Sequence, residues 1–113
     1  MDRIYHNPQC STSREALKTL KAAGRDPEVI KYLDAPPSRE ELARLITDAG
    51  LSVHQAVRTR EPAYQDAGLS KDSSDDELLD AMMETPRLIQ RPIVVTDKGV
   101  RIPRPLSLLD EIL

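Results

Sequence analysis

A chain of 113 residues is long enough for one domain with its own core and too short for two. Its residues are 39% hydrophobic and 31% charged, with a net charge of −3, an ordinary globular balance with no overall basic footprint for nucleic acid. No apolar run approaches the ~20 residues of a membrane span. Met1-Asp2-Arg3 carries no apolar signal segment, and one cysteine cannot close an internal disulfide, so the expected compartment is the reducing cytoplasm.

With no Phe and no Trp, the core has to come from Leu, Ile, Val, Ala and Met. Arg3 to His6 reads as a first strand. A helix follows from about Ser11 to Ala23, closed by Gly24, with Ala16, Leu17, Leu20 and Ala23 as its buried stripe. Val29 to Leu33 reads as a second strand, stopped by Pro36-Pro37. Ser38-Arg39-Glu40-Glu41 has the form of a capping box and opens a helix with Leu42, Leu45, Ile46 and Ala49 inward. Between Ser52 and Leu69 the pattern breaks into short helical pieces. Ser74-Asp75-Asp76-Glu77 is a second capping box, leading Leu78, Leu79, Met82 and Met83 to a stop at Pro86. Ile93 to Thr96 and Val100 to Ile102 then flank a hairpin turn at Asp97-Lys98-Gly99, and Pro105 to Leu113 fits a short closing helix.

The order is β-α-β, an all-helical insertion at about residues 38–85, a β-hairpin and a last helix. The expected fold is α/β and thioredoxin-like: one domain over residues 1–113, with a four-stranded mixed sheet flanked by helices. Its first unit is a right-handed parallel crossover. In that layout Pro92, ahead of the first hairpin strand, occupies the place of a cis proline beside the active cysteine.

The chemistry concentrates at Cys10, in His6-Asn7-Pro8-Gln9-Cys10-Ser11-Thr12-Ser13-Arg14. A sulfur at a strand-to-helix corner faces free backbone N–H groups and the positive end of a helix dipole. Such a thiol ionises more easily, and the same N–H groups can hold an oxyanion beside it. A core cysteine is otherwise an inert filler; the helix start, Pro8 and the three hydroxyl residues argue for reactivity here. Ser13, three residues on, stands where a redox pair would carry its second thiol. His6 can hydrogen-bond or polarise Cys10, or simply cap the strand end. Asn7 can brace the loop through its amide. Ser11, Thr12 and Ser13 can cap the helix, donate to an anion, or both. Arg58, Arg91 and Arg104 read individually as solvated surface charge. Two of them bracket the hairpin at the cysteine's edge of the sheet, and guanidinium forks suit tetrahedral oxyanions such as arsenate, phosphate or sulfate. His54 reads as a surface residue, and the acidic run Ser73 to Glu77 as helix capping and solubility. No residues have metal-site spacing, and there is no Gly-rich phosphate loop.

Together these stretches resemble the glutaredoxin-linked arsenate reductase family, nearly end to end. The likeness runs through Ile4 to Arg14, Tyr32-Leu33, Pro36 to Arg39, Arg58 with Glu61-Pro62 and Tyr64, Leu88 to Thr96, and Arg101 to Pro105. The resemblance implies that Cys10 is the nucleophile, with His6 and Ser13 assisting its thiolate, and that Arg58, Arg91 and Arg104 form an arsenate-binding triad. It implies no bound cofactor, glutathione as co-substrate and glutaredoxin as protein partner. It further implies attack of the Cys10 thiolate on As(V), thiol attack on the adduct and release of arsenite. A lone cysteine agrees with external thiols and argues against the phosphatase-like arsenate reductases, which shuttle a disulfide among several cysteines. Ending at Leu113, the chain resembles the shorter chromosomal branch rather than the plasmid-resistance members with a longer C-terminal tail. His54 and Thr59-Arg60 depart from the family pattern around Arg58. Two other functions fit parts of the sequence. One is a glutathione-dependent thiol oxidoreductase of another substrate, for which three anion-ready arginines would be superfluous. The other is a non-enzymatic Spx-type regulator binding RNA polymerase, whose usual Cys-x-x-Cys switch is absent here. With no apolar stripe left over after the core is assigned, a monomer is expected.

Overall fold

The computed structural model describes residues 1–113, which fall into two compact units. The first joins Met1–Ala35 to Arg91–Leu113 and carries the whole sheet; the second is Pro36–Gln90.

In the first unit, β1 (Arg3–His6), α1 (Ser11–Ala22) and β2 (Glu28–Lys31) form the expected parallel crossover. β3 (Ile93–Thr96) lies antiparallel on the other side of β1, and β4 (Gly99–Arg101) pairs antiparallel with β3, giving the order β2-β1-β3-β4. This is the thioredoxin-like arrangement. Gly99 sits at φ +145°, a conformation that side chains with a Cβ rarely adopt, and this suits it to the tight hairpin turn. The chain closes in a 3-10 helix, Leu106–Ile112, rather than a regular α-helix.

Ile4 and Val94 from the sheet, Ala16 and Leu20 from α1, and Leu109 and Ile112 from the closing helix form one buried cluster. Leu17 packs on it only partly, and Ala23, placed in the inward stripe by its spacing, is exposed as the C-cap of α1. Polar staples hold the margins. Arg25 donates to Asp2, Asp97 and the Leu113 carbonyl, and the buried Thr96 hydroxyl donates to the Ile112 carbonyl at 2.7 Å. The largest fully buried side chains are Tyr5 and Tyr32, so an aliphatic inventory of the core left out its two bulkiest members.

β2 begins and ends earlier than its hydrophobic run, at Glu28 and Lys31. The cause is its partner. The register runs from Arg3 opposite Glu28 to His6 opposite Lys31, and beyond His6 the β1 chain turns away, so the ladder stops before Tyr32.

The second unit is helical, with α2 (Arg39–Asp48), α3 (Pro62–Asp66) and α4 (Asp75–Glu84), and 3-10 turns at His54–Ala56 and Pro86–Leu88. Ser38 caps α2 by accepting from the Glu41 N–H at 3.1 Å. Ser74 and Glu77 form the complete reciprocal box at α4. α2 packs on α4, burying Leu42, Leu45, Ile46, Leu78, Leu79 and Met82, and Arg39 spans them from outside to Asp76 and Asp80, both at 2.8 Å. No helix is long and apolar enough to cross a membrane.

Candidate active site

Cys10 is the N-cap of α1, in extended conformation at φ −93° and ψ 123°. A tight turn delivers it there: Pro8 supplies the fixed φ of a turn's second position, and the Cys10 N–H closes the turn on the Asn7 carbonyl at 3.0 Å. The Asn7 side chain braces the same loop, its Oδ1 accepting from the Gln9 N–H at 3.0 Å. From the helix, Arg14 reaches back to the Pro8 carbonyl at 2.9 Å, while its N–H makes the first helical bond, to the Cys10 carbonyl. The Arg14 strap is a positioning contact that sequence reading passed over. Its only signal is an arginine in the first turn, one helical step from the proline loop.

The sulfur is partly exposed. Its burial pushes the thiol pKa up, but four features together outweigh this and hold it below the ordinary thiol value. The Ser13 N–H bonds the sulfur, the Arg91 charge attracts the thiolate, the Thr12 N–H adds a second backbone bond, and the Arg104 guanidinium adds a side-chain bond. Thr12 and Ser13 therefore act on the sulfur through their amides, orphan donors of the first helical turn, more than through their hydroxyls.

The Ser13 side chain is occupied elsewhere. It is fully buried, accepts from the Asn7 N–H at 3.0 Å, and lies 2.6 Å from His6 Nδ1. A buried hydroxyl needs an acceptor for its proton. The Ser13 O–H accordingly donates to Nδ1, which places the ring proton on Nε2. His6 is itself 94% covered, and its burial, with the nearby charges of Lys31 and Arg14, holds its pKa below the usual imidazole value. The neutral ring is thus the native form, and His6 reaches the cysteine loop through Ser13.

Two cations stand on the hairpin side. Arg104 donates to the Arg91 carbonyl at 2.9 Å, tying the two segments that flank the hairpin, and the Arg91–Pro92 and Arg104–Pro105 bonds are both cis. Ser11, Thr12 and Glu15 on α1 face Arg104, Pro105 and Leu106 across an open groove of about 210 Å³. Cys10, His6, Ser11, Thr12, Ser13, Arg91 and Arg104 all belong to the first unit, whereas Arg58 belongs to the second. There Arg58 donates to the Arg87 carbonyl at 3.2 Å and pairs with Glu61 at 3.6 Å. His54 lies in a 3-10 turn of that unit, half-buried rather than on the open surface. No cluster of His, Cys, Asp and Glu side chains has metal-holding geometry.

The sequence model of the ArsC family matches residues 5–112, the loop, both hairpin arginines and the helical segment included. The chain belongs to the ArsC family. Among other ArsC proteins, the arsenate reductase of Acidiphilium multivorum is 48% identical over 111 residues, covering 97% of this chain and 79% of that protein. The arsenate reductase of Escherichia coli K12 is 47% identical over the same length and shares. A solved arsenate reductase from Vibrio cholerae superposes with a TM-score of 0.93 at 47% identity, covering 99% of this chain and 97% of the other.

Proposed function

We propose that this ArsC-family protein is an arsenate reductase whose nucleophile is Cys10. The observation that carries the reading is the thiol itself, held below its ordinary pKa by the Ser13 and Thr12 amides and the Arg91 and Arg104 charges. Family membership and the named activity of relatives at 47–48% identity supply the substrate. The Cys10 thiolate attacks As(V): an S–As bond forms, an As–O bond breaks, and the departing hydroxyl takes a proton from solvent and leaves as water. Arg91 and Arg104, with the Ser11 and Thr12 donors, stabilise charge on the remaining oxygens as the bond forms. Arg58 is the third cation the family pattern assigns. Ser13 and His6 hold the loop that presents the sulfur.

Reduction needs two electrons, and two external thiols provide them. Arsenate and two thiols become arsenite, one disulfide and water. Glutathione and glutaredoxin are the proposed donors, acting with a cytoplasmic, monomeric enzyme. The test is NADPH oxidation coupled through glutathione reductase, with arsenate, glutathione and glutaredoxin, comparing wild type with Cys10→Ser. Turnover is expected only with Cys10 present; arsenate-dependent turnover surviving in Cys10→Ser overturns the assignment.

A further inference from the structure

The sheet has two outer strands, and the chain treats them differently. On β4 the Val100 carbonyl accepts from the Arg101 guanidinium at 2.7 Å, and the same guanidinium pairs with Glu111 at 2.9 Å. A charged side chain bonded to the strand's own backbone blunts that edge against further pairing. β2 has no such cover. Glu28, Val29 and Lys31 are exposed, and Val29 and Leu33 are the exposed large hydrophobic side chains apart from Met1.

The register with β1 fixes which way each backbone group of β2 points. The Glu28 N–H donates to the Asp2 carbonyl at 2.9 Å, and parallel pairing alternates from there, so Glu28 and Ile30 turn their backbone groups to β1. The Val29 N–H and carbonyl and the Lys31 N–H therefore point away from it. Pro27 is buried, and its carbonyl points the same way. Two positions on this outer side offer nothing. Pro27 has no N–H, and the Lys31 carbonyl already accepts from the Asp34 and Ala35 N–H groups at 3.0 and 2.9 Å. Turned end for end, the pattern matches itself. With Val29 opposite the Val29 of a second copy, the two valines exchange a pair of hydrogen bonds, and each Lys31 N–H meets a Pro27 carbonyl. The missing Pro27 N–H falls opposite the occupied Lys31 carbonyl, so no group along the edge is left without a partner. Lys31 then faces Pro27 and Glu28 faces Ile30, so no like charges stand directly opposite.

We propose that the β2 edge is a self-pairing surface, on which a second copy of this chain adds antiparallel about a two-fold axis at Val29 and continues the sheet across both molecules. Pairing runs only from Pro27 to Lys31, so the contact falls below the ~1,200 Å² of total surface that stable complexes bury. The pair accordingly forms at high concentration, while the dilute enzyme stays a monomer. The surface goes beyond the reductase reading and does not depend on it.

The test follows backbone amide shifts and translational diffusion of the full chain from about 50 µM to about 1 mM, the range in which so short an interface forms. Diffusion is expected to slow with concentration, and the Val29 and Lys31 amides to shift. In a mixture of labelled and unlabelled chains, a nuclear Overhauser effect is expected between the Glu28 Hα and the Ile30 Hα of the second copy, because antiparallel pairing brings those two protons together. Val29→Lys sets two ammonium groups opposite each other and should weaken pairing about fivefold, whereas Val29→Thr, which keeps the branched side chain, should hold it within about twofold. On the other face the two Glu28 carboxylates lie diagonally, about 7–8 Å apart between backbones. Added salt and Glu28→Gln should therefore both tighten the pair, the latter about twofold. Diffusion unchanged up to about 1 mM overturns the surface. So do shifts centred away from β2, a Val29→Lys variant that associates like wild type, or a pair that salt loosens.

Discussion

The Ser13 hydroxyl has two candidate duties, and Ser13→Ala separates them. If it contacts the thiolate directly, its loss weakens the thiol acid. In the structure it holds the loop instead, accepting from the Asn7 N–H at 3.0 Å and sitting 2.6 Å from His6 Nδ1. Ser13→Ala strands both partners; at about 1–3 kcal/mol for the covered His6 and about 1 kcal/mol for the half-exposed Asn7 N–H, the loss is about 2–4 kcal/mol in total. At roughly 4 °C per kcal/mol for a chain of this size, Tm should fall by about 8–16 °C. The Ser13 N–H survives the substitution, so the bond that lowers the thiol pKa survives with it. Thermal melts followed by circular dichroism read the stability. The pH profile of iodoacetamide alkylation reads the thiol, without interference because Cys10 is the only cysteine. A Tm within about 1 °C of wild type refutes the bracing role. So does an alkylation midpoint raised as far as Arg91→Ala raises it.

Arg91→Ala and Arg104→Ala should each raise the alkylation midpoint and slow alkylation at neutral pH, because each cation favours the thiolate. Added salt should shrink the Arg91 effect, which acts through charge alone; a midpoint unmoved in both variants removes the arginines from the thiol's environment. His6 gives a signed pH dependence. Its native pKa lies below the unfolded value of 6.5, so the unfolded chain binds the proton first. The stability His6 contributes is complete above about pH 6.5 and is lost as pH falls through the native pKa. Melts between pH 5 and pH 7 should show wild type losing Tm on acidification more steeply than His6→Gln. A wild type that gains Tm there would mean a charged imidazolium at Ser13.

Much of this architecture is legible in short-range patterns. Both serine caps, the Pro86 stop and the hairpin turn come from residues acting on backbone within a few positions, and the structure bears them out. What fails is set by partners distant in sequence. Tyr32 and Leu33 continue an apolar run, yet strand pairing ends where β1 turns at the proline loop. Ala23 fits the helical period but sits where α1 ends. The buried tyrosines are missed because a residue with an apolar ring and a polar tip declares neither surface nor core. At the site, the residue types point to the thiol and its cations, while the division of labour does not. The spacing of Ser13 suggests a side chain acting on sulfur, and only coordinates separate its amide, which reaches Cys10, from its hydroxyl, which reaches His6.

That division bears on how the proposed reduction is completed. In a dithiol site the residue three positions after the nucleophile supplies a second sulfur and resolves the intermediate within the chain. Here that position holds a serine whose oxygen is engaged with the Asn7 N–H and the His6 ring on the buried side of the loop. One cysteine can form a bond to arsenic but offers no reducing thiol beside it, so thiol must enter from solution. Cys10 is partly exposed, and Ser11 and Thr12, which follow it, line an open groove with Arg104 and Pro105. A site so divided trades internal resolution for a thiolate that depends on no second titrating thiol. Ser13→Cys should therefore restore an internal sulfur only by breaking the brace, and its Tm should fall below wild type even when the new thiol is kept reduced.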